Sequence, residues 1–253
     1  QRLLQILPEA ATREVQHDSA LAATAGVSVA RQEHLMAVIV GRPSFADARL
    51  ERQAAEQGVA EVLLREYATH IGDCLAALRG TFALALIDND KRAVLLAVDR
   101  FGIERLFFAP YRDGVLFATR ADMLLRHPAM SAQLSPQGLF HYTYFHCLPS
   151  PNSIYRHLNK LKAGEQVHVS RGRVSSRPLR TTRFDAETND ELALAQELRG
   201  RLESSVKRAA GGEKDIGAFL SGGLDSSTVA GYLAKVQPAR RARTFTMGFA
   251  AKG

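Results

Sequence analysis

The chain has 253 residues, 46% of them hydrophobic and 23% charged, an ordinary composition for folded protein and long enough for one large domain or two smaller ones. Lys plus Arg exceed Asp plus Glu by 33 to 26, a net charge of +7, but the arginines are spread out apart from clusters at 171–183 and 240–243, and no aromatic interleaving suggests base stacking, so nucleic acid is not an expected partner. No apolar run approaches the roughly 18 residues of a membrane span and nothing at the start reads as a signal peptide, so no membrane association and a cytoplasmic location are expected.

The sequence opens at Gln1 without Met and stops just after a strand-like run, which reads as a fragment. Leu35–Val40 is a short apolar run, ended by Gly41 and Pro43, that suits a strand buried on both faces. Val59, Val62, Leu63, Tyr67, Ile71, Leu75 and Leu78 then recur at helical spacing up to a Gly80 stop. Phe82–Ile87 and Ala93–Val98 flank Asp88-Asn89-Asp90-Lys91 as a hairpin, and 106–109 and 115–118 flank Asp113-Gly114 as another, with the glycine supplying a positive φ. Short helices are expected at 121–126 and 136–144, the second with aromatic residues Phe140, Tyr142, Tyr144 and Phe145 read as packing. A last hairpin turns at Arg171-Gly172-Arg173. Cys74 and Cys147 lack CxxC spacing and a neighbouring His cluster, which argues against disulfide and zinc and for buried free thiols. Asp99-Arg100 follows a buried strand and reads as a structural pair holding the next turn by a salt bridge rather than as catalytic residues.

A boundary is placed near Phe184, giving a first domain at 1–184 and a second at 185–253. Thr188 with Glu191 fits a capping box. The following helix has an apolar stripe of Ala195, Leu198, Leu202 and Val206 and stops at Gly211-Gly212. Next come a strand at 216–220, the loop Ser221-Gly222-Gly223-Leu224-Asp225-Ser226-Ser227, and a helix through Val229, Ala230 and Leu233. A strand, a Gly-rich loop and a helix N-terminus together make an anion site, because backbone N–H groups and the helix dipole face out of the sheet edge. Ser221, Ser226 and Ser227 add hydroxyls, and a carboxylate at Asp225 among phosphates calls for Mg2+ between them. No Lys follows the second glycine, so the loop is not a Walker-type P-loop. The alternative is a plain strand-to-helix turn.

That heptad resembles the pyrophosphate loop of N-type ATP pyrophosphatases, and the wider chain resembles the asparagine synthetase family. The segments Leu78-Arg79-Gly80-Thr81-Phe82-Ala83, Asp99-Arg100-Phe101-Gly102, Phe117-Ala118-Thr119, Leu161-Lys162-Ala163-Gly164 and Thr244-Phe245-Thr246-Met247-Gly248-Phe249 look like the family's landmarks in order. The resemblance implies an α+β N-terminal nucleophile (Ntn) αββα sandwich, then the start of an α/β parallel-sheet ATP-pyrophosphatase domain. It also implies ATP and Mg2+, a carboxylate substrate (aspartate or an analogue), and ammonia, glutamine or another amine as nitrogen donor. A homodimer is compatible with it. Carried over, Ser221–Ser227 resemble the pyrophosphate cradle, Asp225 the Mg2+-linked carboxylate, and Leu220 and Met247 the backbone contacts to adenosine.

Family glutaminases need an N-terminal Cys, an Arg and an Asp for the glutamine α-groups, and an Asn-Gly-Glu oxyanion loop. Here Val40-Gly41-Arg42-Pro43-Ser44 replaces the loop, and Gly58-Val59-Ala60-Glu61 stands where the Asp is required. Cys74 and Cys147 cannot supply an N-terminal amine. A vestigial glutaminase domain is therefore expected. The other reading is a non-catalytic family member that binds a nucleotide or a partner.

Overall fold

The computed structural model describes residues 12–16, 19–23, 26–69, 74–180, 190–211, 215–237 and 242–248. The chain divides into two compact units, Gln1–Thr182 and Arg183–Gly253.

In the first unit, β1 (Thr12–Gln16) and β2 (Ser19–Ala23) form a two-stranded antiparallel ladder. The centre of the unit is a six-stranded antiparallel sheet made from β3 (Val27–Gln32), β4 (Leu35–Phe45), β5 (Leu78–Asp88), β6 (Ala93–Val98), β10 (Glu165–Ser170) and β11 (Arg173–Pro178), in the order β11-β10-β6-β5-β4-β3. A smaller sheet joins β7 (Phe107–Tyr111), β8 (Gly114–Ala118) and β9 (Asn159–Lys160) in the order β8-β7-β9. Between β4 and β5 lie α1 (Ala48–Gln57), α2 (Val59–Thr69) and a 3-10 turn at Cys74–Ala77; α3 (Ala121–Leu124) and α4 (Pro136–Phe145) follow β8.

Side chains of successive strand residues alternate between faces, so a strand in the middle of a three-layer stack must be apolar at every position. On β5, Phe82, Leu84 and Leu86 pack with Leu63, Leu64 and other residues of the helical layer, while Ala83 and Ala85 join Leu106, Phe108 and Val167 between the two sheets. On β6, Leu95 and Ala97 belong to the helical side, Leu96 and Val98 to the other. The layer order is helices, large sheet, small sheet, with α3 closing the far side through Leu124, which packs with Ala109 and Leu158. A fully buried leucine such as Leu63 stabilises this stack by about 2–3 kcal/mol through removal of apolar area from water.

Several boundaries differ from the sequence reading. Strand β4 does not stop at Gly41 and Pro43 but runs to Phe45, paired with β5 throughout, from Leu35 opposite Asp88 to Phe45 opposite Leu78. Its other neighbour, β3, pairs only with Leu35–Val40. Beyond Val40 the strand is thus an edge among the described residues, where a proline without N–H is tolerated. The helix expected to run to Leu78 ends at Thr69, and Leu78 and Gly80 belong to β5; Ile71 lies outside the described residues. Gly80 is not a helix stop: a Cβ there would stand 2.2 Å from the Arg42 carbonyl O, and φ is +80°. At the β7–β8 turn, it is Arg112 that adopts positive φ (54°), and Gly114 already belongs to β8. The aromatic set on α4 does not pack into the core: Phe140, Tyr142, Tyr144 and Phe145 are all exposed, with Tyr144 in ring contact with Phe140 and Phe145. Cys74 is buried, but Cys147 is exposed. Helix α1 escaped the periodicity argument, since only Leu50 and Ala54 are buried; its N-cap is Asp47, whose carboxylate accepts from Arg49 and Leu50 N–H.

Asp99 is 1% exposed and does hold its turn, but with backbone donors where a salt bridge was expected. Its carboxylate accepts N–H from Phe82 (3.3 Å), Phe101 (3.1 Å), Ile103 (3.2 Å) and Glu104 (2.9 Å). Its own N–H donates to Phe82 O, and its carbonyl accepts from Gly102 and Gly164 N–H. Each buried amide left unpaired costs about 1–3 kcal/mol. Asp99→Ala is therefore expected to destabilise the unit by on the order of 4 kcal/mol, read as a lowered urea midpoint.

Asp88, also 1% exposed, sits at the end of β5. Burial pushes its pKa up, but Lys91 outweighs that with a backbone N–H at 2.9 Å and an ammonium 2.9 Å away, and the net position is below the ordinary carboxylate value. A depressed folded pKa stabilises the fold above the unfolded pKa and loses that contribution as pH falls through the folded value. The stabilisation from Asp88 is therefore complete above about pH 5 and fades below about pH 4. Asp88→Asn should lose stability at pH 7 and converge on the parent protein in acid, measured by urea unfolding at stepped pH.

The second unit contains α5 (Glu191–Ala210), β12 (Gly217–Phe219), α6 (Leu224–Val236) and β13 (Arg243–Phe245). β12 and β13 are parallel, with Gly217 opposite Arg243 and Phe219 opposite Phe245, so α6 is the crossover helix that parallel neighbours require. The expected strands at 216–220 and 244–249 are thus present but shorter, and Phe249 lies outside the described residues. Ala210, Ala218, Ala230 and Leu233 form the core. The N-cap of α5 is Asp190, which accepts from Leu192 and Ala193 N–H, and not Thr188, which lies outside the described residues. The stripe on α5 is only partly used: Val206 packs against the core, while Leu198 is 58% exposed. Gly211 ends the helix in the left-handed conformation expected of a C-cap glycine.

Candidate anion site at the strand–loop–helix junction

Because β12 and β13 are adjacent and parallel, their C-terminal ends lie side by side. Leu220–Ser227 leave the first as a loop and helix start; Thr246 and Met247 leave the second. All nine residues singled out from sequence therefore belong to one edge of one sheet. Leu220 N–H donates to Phe245 O at 2.9 Å, and the Thr246 hydroxyl donates to Leu220 O at 2.7 Å.

Inside the loop, the Ser226 hydroxyl is the organiser. Its Oγ lies 3.1 Å from Gly223 O, 3.2 Å from Ser221 N and 3.0 Å from Ser221 Oγ. A hydroxyl has one proton and two lone pairs. Gly223 O takes the Ser226 proton, Ser221 N–H and Ser221 O–H fill the lone pairs, and the hydrogen-bonding capacity of Ser226 is used up inside the loop. This corrects the expectation that Ser221 and Ser226 offer hydroxyl donors outward; Ser227, exposed on the same turn, is left in that role.

The outward donors are instead backbone amides. Leu224, Asp225 and Ser226 are the first three residues of α6, whose N–H groups have no intrahelical acceptor, and the N-cap, Gly223, brings no capping side chain. Helix-internal bonding starts with Ser227 N–H to Gly223 O at 3.1 Å. Gly222 takes φ +84° with open space where a Cβ would stand, so a ligand can approach the backbone closely. A row of exposed amides at the positive end of a 13-residue helix suits phosphate oxygens.

Asp225 is exposed in the first turn. No group of three or more His, Cys, Asp or Glu residues that could hold a metal by protein ligands alone occurs among the described residues. A Mg2+ here would thus draw most of its oxygens from phosphate and water, with Asp225 as the protein carboxylate, in keeping with how that ion is bound. Asp225 and Ser226 also line a cleft of about 420 Å3 whose remaining walls are mostly apolar, including Val206, Ile216, Val229 and Leu233. Leu224, Phe219 and Met247 are each at least 80% exposed around the loop.

The two segments that the sequence sets against the family's glutaminase groups lie on β4 and at the junction of α1 and α2. Val40–Ser44 are ladder residues of β4, with Arg42 N–H donating to Thr81 Oγ1 at 3.3 Å. Gly58 caps α1 at φ +98°, and Val59–Glu61 form the first turn of α2.

The comparisons with known proteins agree with this architecture. A glutamine amidotransferase domain model matches residues 47–181, and an asparagine synthase model matches residues 197–253. The chain belongs to the glutamine-hydrolysing asparagine synthetase family. It is 32% identical over 207 residues to a Mycobacterium tuberculosis protein assigned as a glutamine-hydrolysing asparagine synthetase, covering 79% of this chain and 31% of that one. It is 27% identical over 194 residues to asparagine synthetase [glutamine-hydrolyzing] 1 of Bacillus subtilis, covering 76% and 30%. The chain thus spans about three-tenths of the length of these relatives. Among solved structures it is similar to glutamine phosphoribosylpyrophosphate amidotransferase from B. subtilis, at 14% identity over 85% of this chain and 46% of that one with a TM-score of 0.37, too distant for any further argument. The family membership and the helix–sheet–sheet layering together support an Ntn-type glutaminase fold for the first unit. Among the described residues no helix is long and apolar enough to cross a membrane.

Thr246 was quoted in a landmark segment but not singled out as a site residue. Neither its hydroxyl bond nor the Leu220 carbonyl that receives it leaves a mark in the sequence, since a Thr after a strand is common.

Ser226→Ala removes all three loop bonds at once. With each neutral bond worth about 1 kcal/mol, pyrophosphate binding is expected to weaken at least about tenfold by titration calorimetry. Ser221→Ala, which leaves two of those bonds, should weaken it less.

Proposed function

We propose that Leu220–Ser227 and Met247 form the ATP site of an amide-forming ligase, in which the loop amides and Ser227 hold the pyrophosphate end and Asp225 holds Mg2+. The observation that carries this reading is the uncapped N-terminus of α6 behind a Gly-Gly turn, with one carboxylate in its first turn. Bound Mg2+ would neutralise phosphate charge and make pyrophosphate a better leaving group. A carboxylate substrate, aspartate or an analogue, would attack the α-phosphorus, releasing pyrophosphate, and an amine would then displace AMP to give the amide. Residues 185–253 are assigned to this synthetase part and residues 1–184 to the glutaminase-type domain, in a cytoplasmic protein.

The glutaminase domain is proposed to be degenerate, so that ammonia or an amine serves as donor. Supporting this, Val40–Ser44, which replace the Asn-Gly-Glu loop, are engaged in the β4–β5 ladder, and Gly58–Glu61, which stand where the Asp is required, form the cap of α1 and the first turn of α2. A buried or half-buried site that loses the partner of a charged substrate group loses orders of magnitude in turnover.

ATP–pyrophosphate exchange by the full-length protein, across a panel of carboxylates that includes aspartate, tests both parts. Carboxylate-dependent exchange is expected, with amide formed from ammonia and not from glutamine, and with Asp225→Ala reducing exchange on the order of 100-fold. Amide formation from glutamine would overturn the degenerate-glutaminase reading. Absence of exchange with every carboxylate would overturn the ligase reading in favour of a member that binds without chemistry.

A further inference from the structure

We infer that Thr246 is a positioning residue for the anion loop, acting through the Leu220 carbonyl; the inference rests on the nucleotide-site reading and adds a residue to it.

The loop is entered through the Leu220–Ser221 peptide, and its other end is the first turn of α6. Two hydrogen bonds from the exit of β13 hold that entrance. Leu220 N–H donates to Phe245 O at 2.9 Å, and Thr246 Oγ1 donates to Leu220 O at 2.7 Å, the shorter of the two. The ladder bond holds the Phe219–Leu220 peptide and leaves the next peptide, Leu220–Ser221, free to rotate. Thr246 holds that second peptide by its carbonyl. The orientation matters because the other end of the same peptide, Ser221 N–H, donates to Ser226 Oγ, and Ser226 closes the loop. Thr246 and Ser226 thus pin the same short segment from opposite sides.

The strand that delivers Thr246 is itself located by an aromatic contact. The Phe245 ring lies over Gly217, where an added Cβ would stand 2.7 Å from Cε2, and its centroid is 6.3 Å from that of Phe219. The absent side chain at Gly217 lets Phe245 lie across β12, and Thr246 follows at the height of Leu220. Thr246 itself is exposed, so the hydroxyl bond is not a by-product of core packing. A consequence bears on the adenosine contact attributed to Leu220: its N–H is already committed to Phe245, and its carbonyl keeps a single lone pair beyond the one Thr246 occupies.

The test compares Thr246→Val, Thr246→Ser and Thr246→Ala in the full-length protein. Calorimetric titration with Mg·ATP and with pyrophosphate alone is run beside thermal unfolding. Thr246→Val, which keeps the shape and loses the hydroxyl, is expected to weaken both ligands about five- to tenfold, the worth of one hydrogen bond. Thr246→Ser is expected to retain wild-type affinity. Melting temperatures of all three should stay within about 2 °C of wild type, as for an exposed side chain. Parallel loss for ATP and pyrophosphate places the effect on the loop rather than on the base. A residue of general structural importance would lower the melting temperature and would not be rescued by serine. Wild-type binding with Thr246→Val and Thr246→Ala unchanged overturns the inference and leaves the nucleotide site standing. No binding of either ligand by the wild type overturns both.

Discussion

The first unit hangs on a buried carboxylate. Burying a charge is costly unless hydrogen bonds replace the lost water, and Asp99 meets that requirement with four backbone amides drawn from two places, β5 and the 101–104 loop. Its own backbone then reaches Phe82 and Gly164. The landmark segments around Phe82, Asp99 and Leu161 are therefore three sides of one node. The glycines in them have a common reason: Gly102 and Gly164 both take φ +63°, and a Cβ on either would come within 3.4 Å of the other segment's backbone, Ala163 for the first and Arg100 for the second. Residues that stand out in the sequence as family landmarks are here the joint between the two sheets.

What could be read without coordinates followed from periodicity where burial was one-sided or complete. The hairpins β5–β6 and β10–β11 and the strand–loop–helix of the second unit were legible because apolar runs and turn residues change over sharply there. The errors have physical causes as well. Leu75 and Leu78 continued a helical spacing by accident of the 3-10 turn and strand that follow α2. Pro43 read as a strand end because nothing in a sequence says that one side of β4 has lost its neighbour. The α4 aromatics read as core because aromatic density usually marks a core, yet they lie on the surface.

The candidate site divides in the same way. Its residue set was visible because Gly-Gly, Asp and Ser occur at a strand-to-helix junction, where their chemistry has a reason. The division of labour among the hydroxyls was not visible, because it depends on which of three serines sits within reach of the others. Ser226 closes the loop and Ser227 remains outward, although both are the same residue type in adjacent positions.

One consequence of that arrangement concerns how such a loop can vary. If the ligand is held chiefly by the amides of Leu224, Asp225 and Ser226, the side chain at Leu224 is free to differ as long as the backbone keeps its shape, whereas Asp225 and Ser226 keep roles of their own. The strict requirements then fall on Gly222, which alone tolerates φ +84°, and on the groups that hold the loop: Ser226 from within, Phe245 and Thr246 from the neighbouring strand. Affinity for a phosphate chain at the proposed site would in this sense be a property of the second strand as much as of the loop. A change in how β13 lies against Gly217 and Phe219 would reach the anion site without altering any residue that touches the ligand.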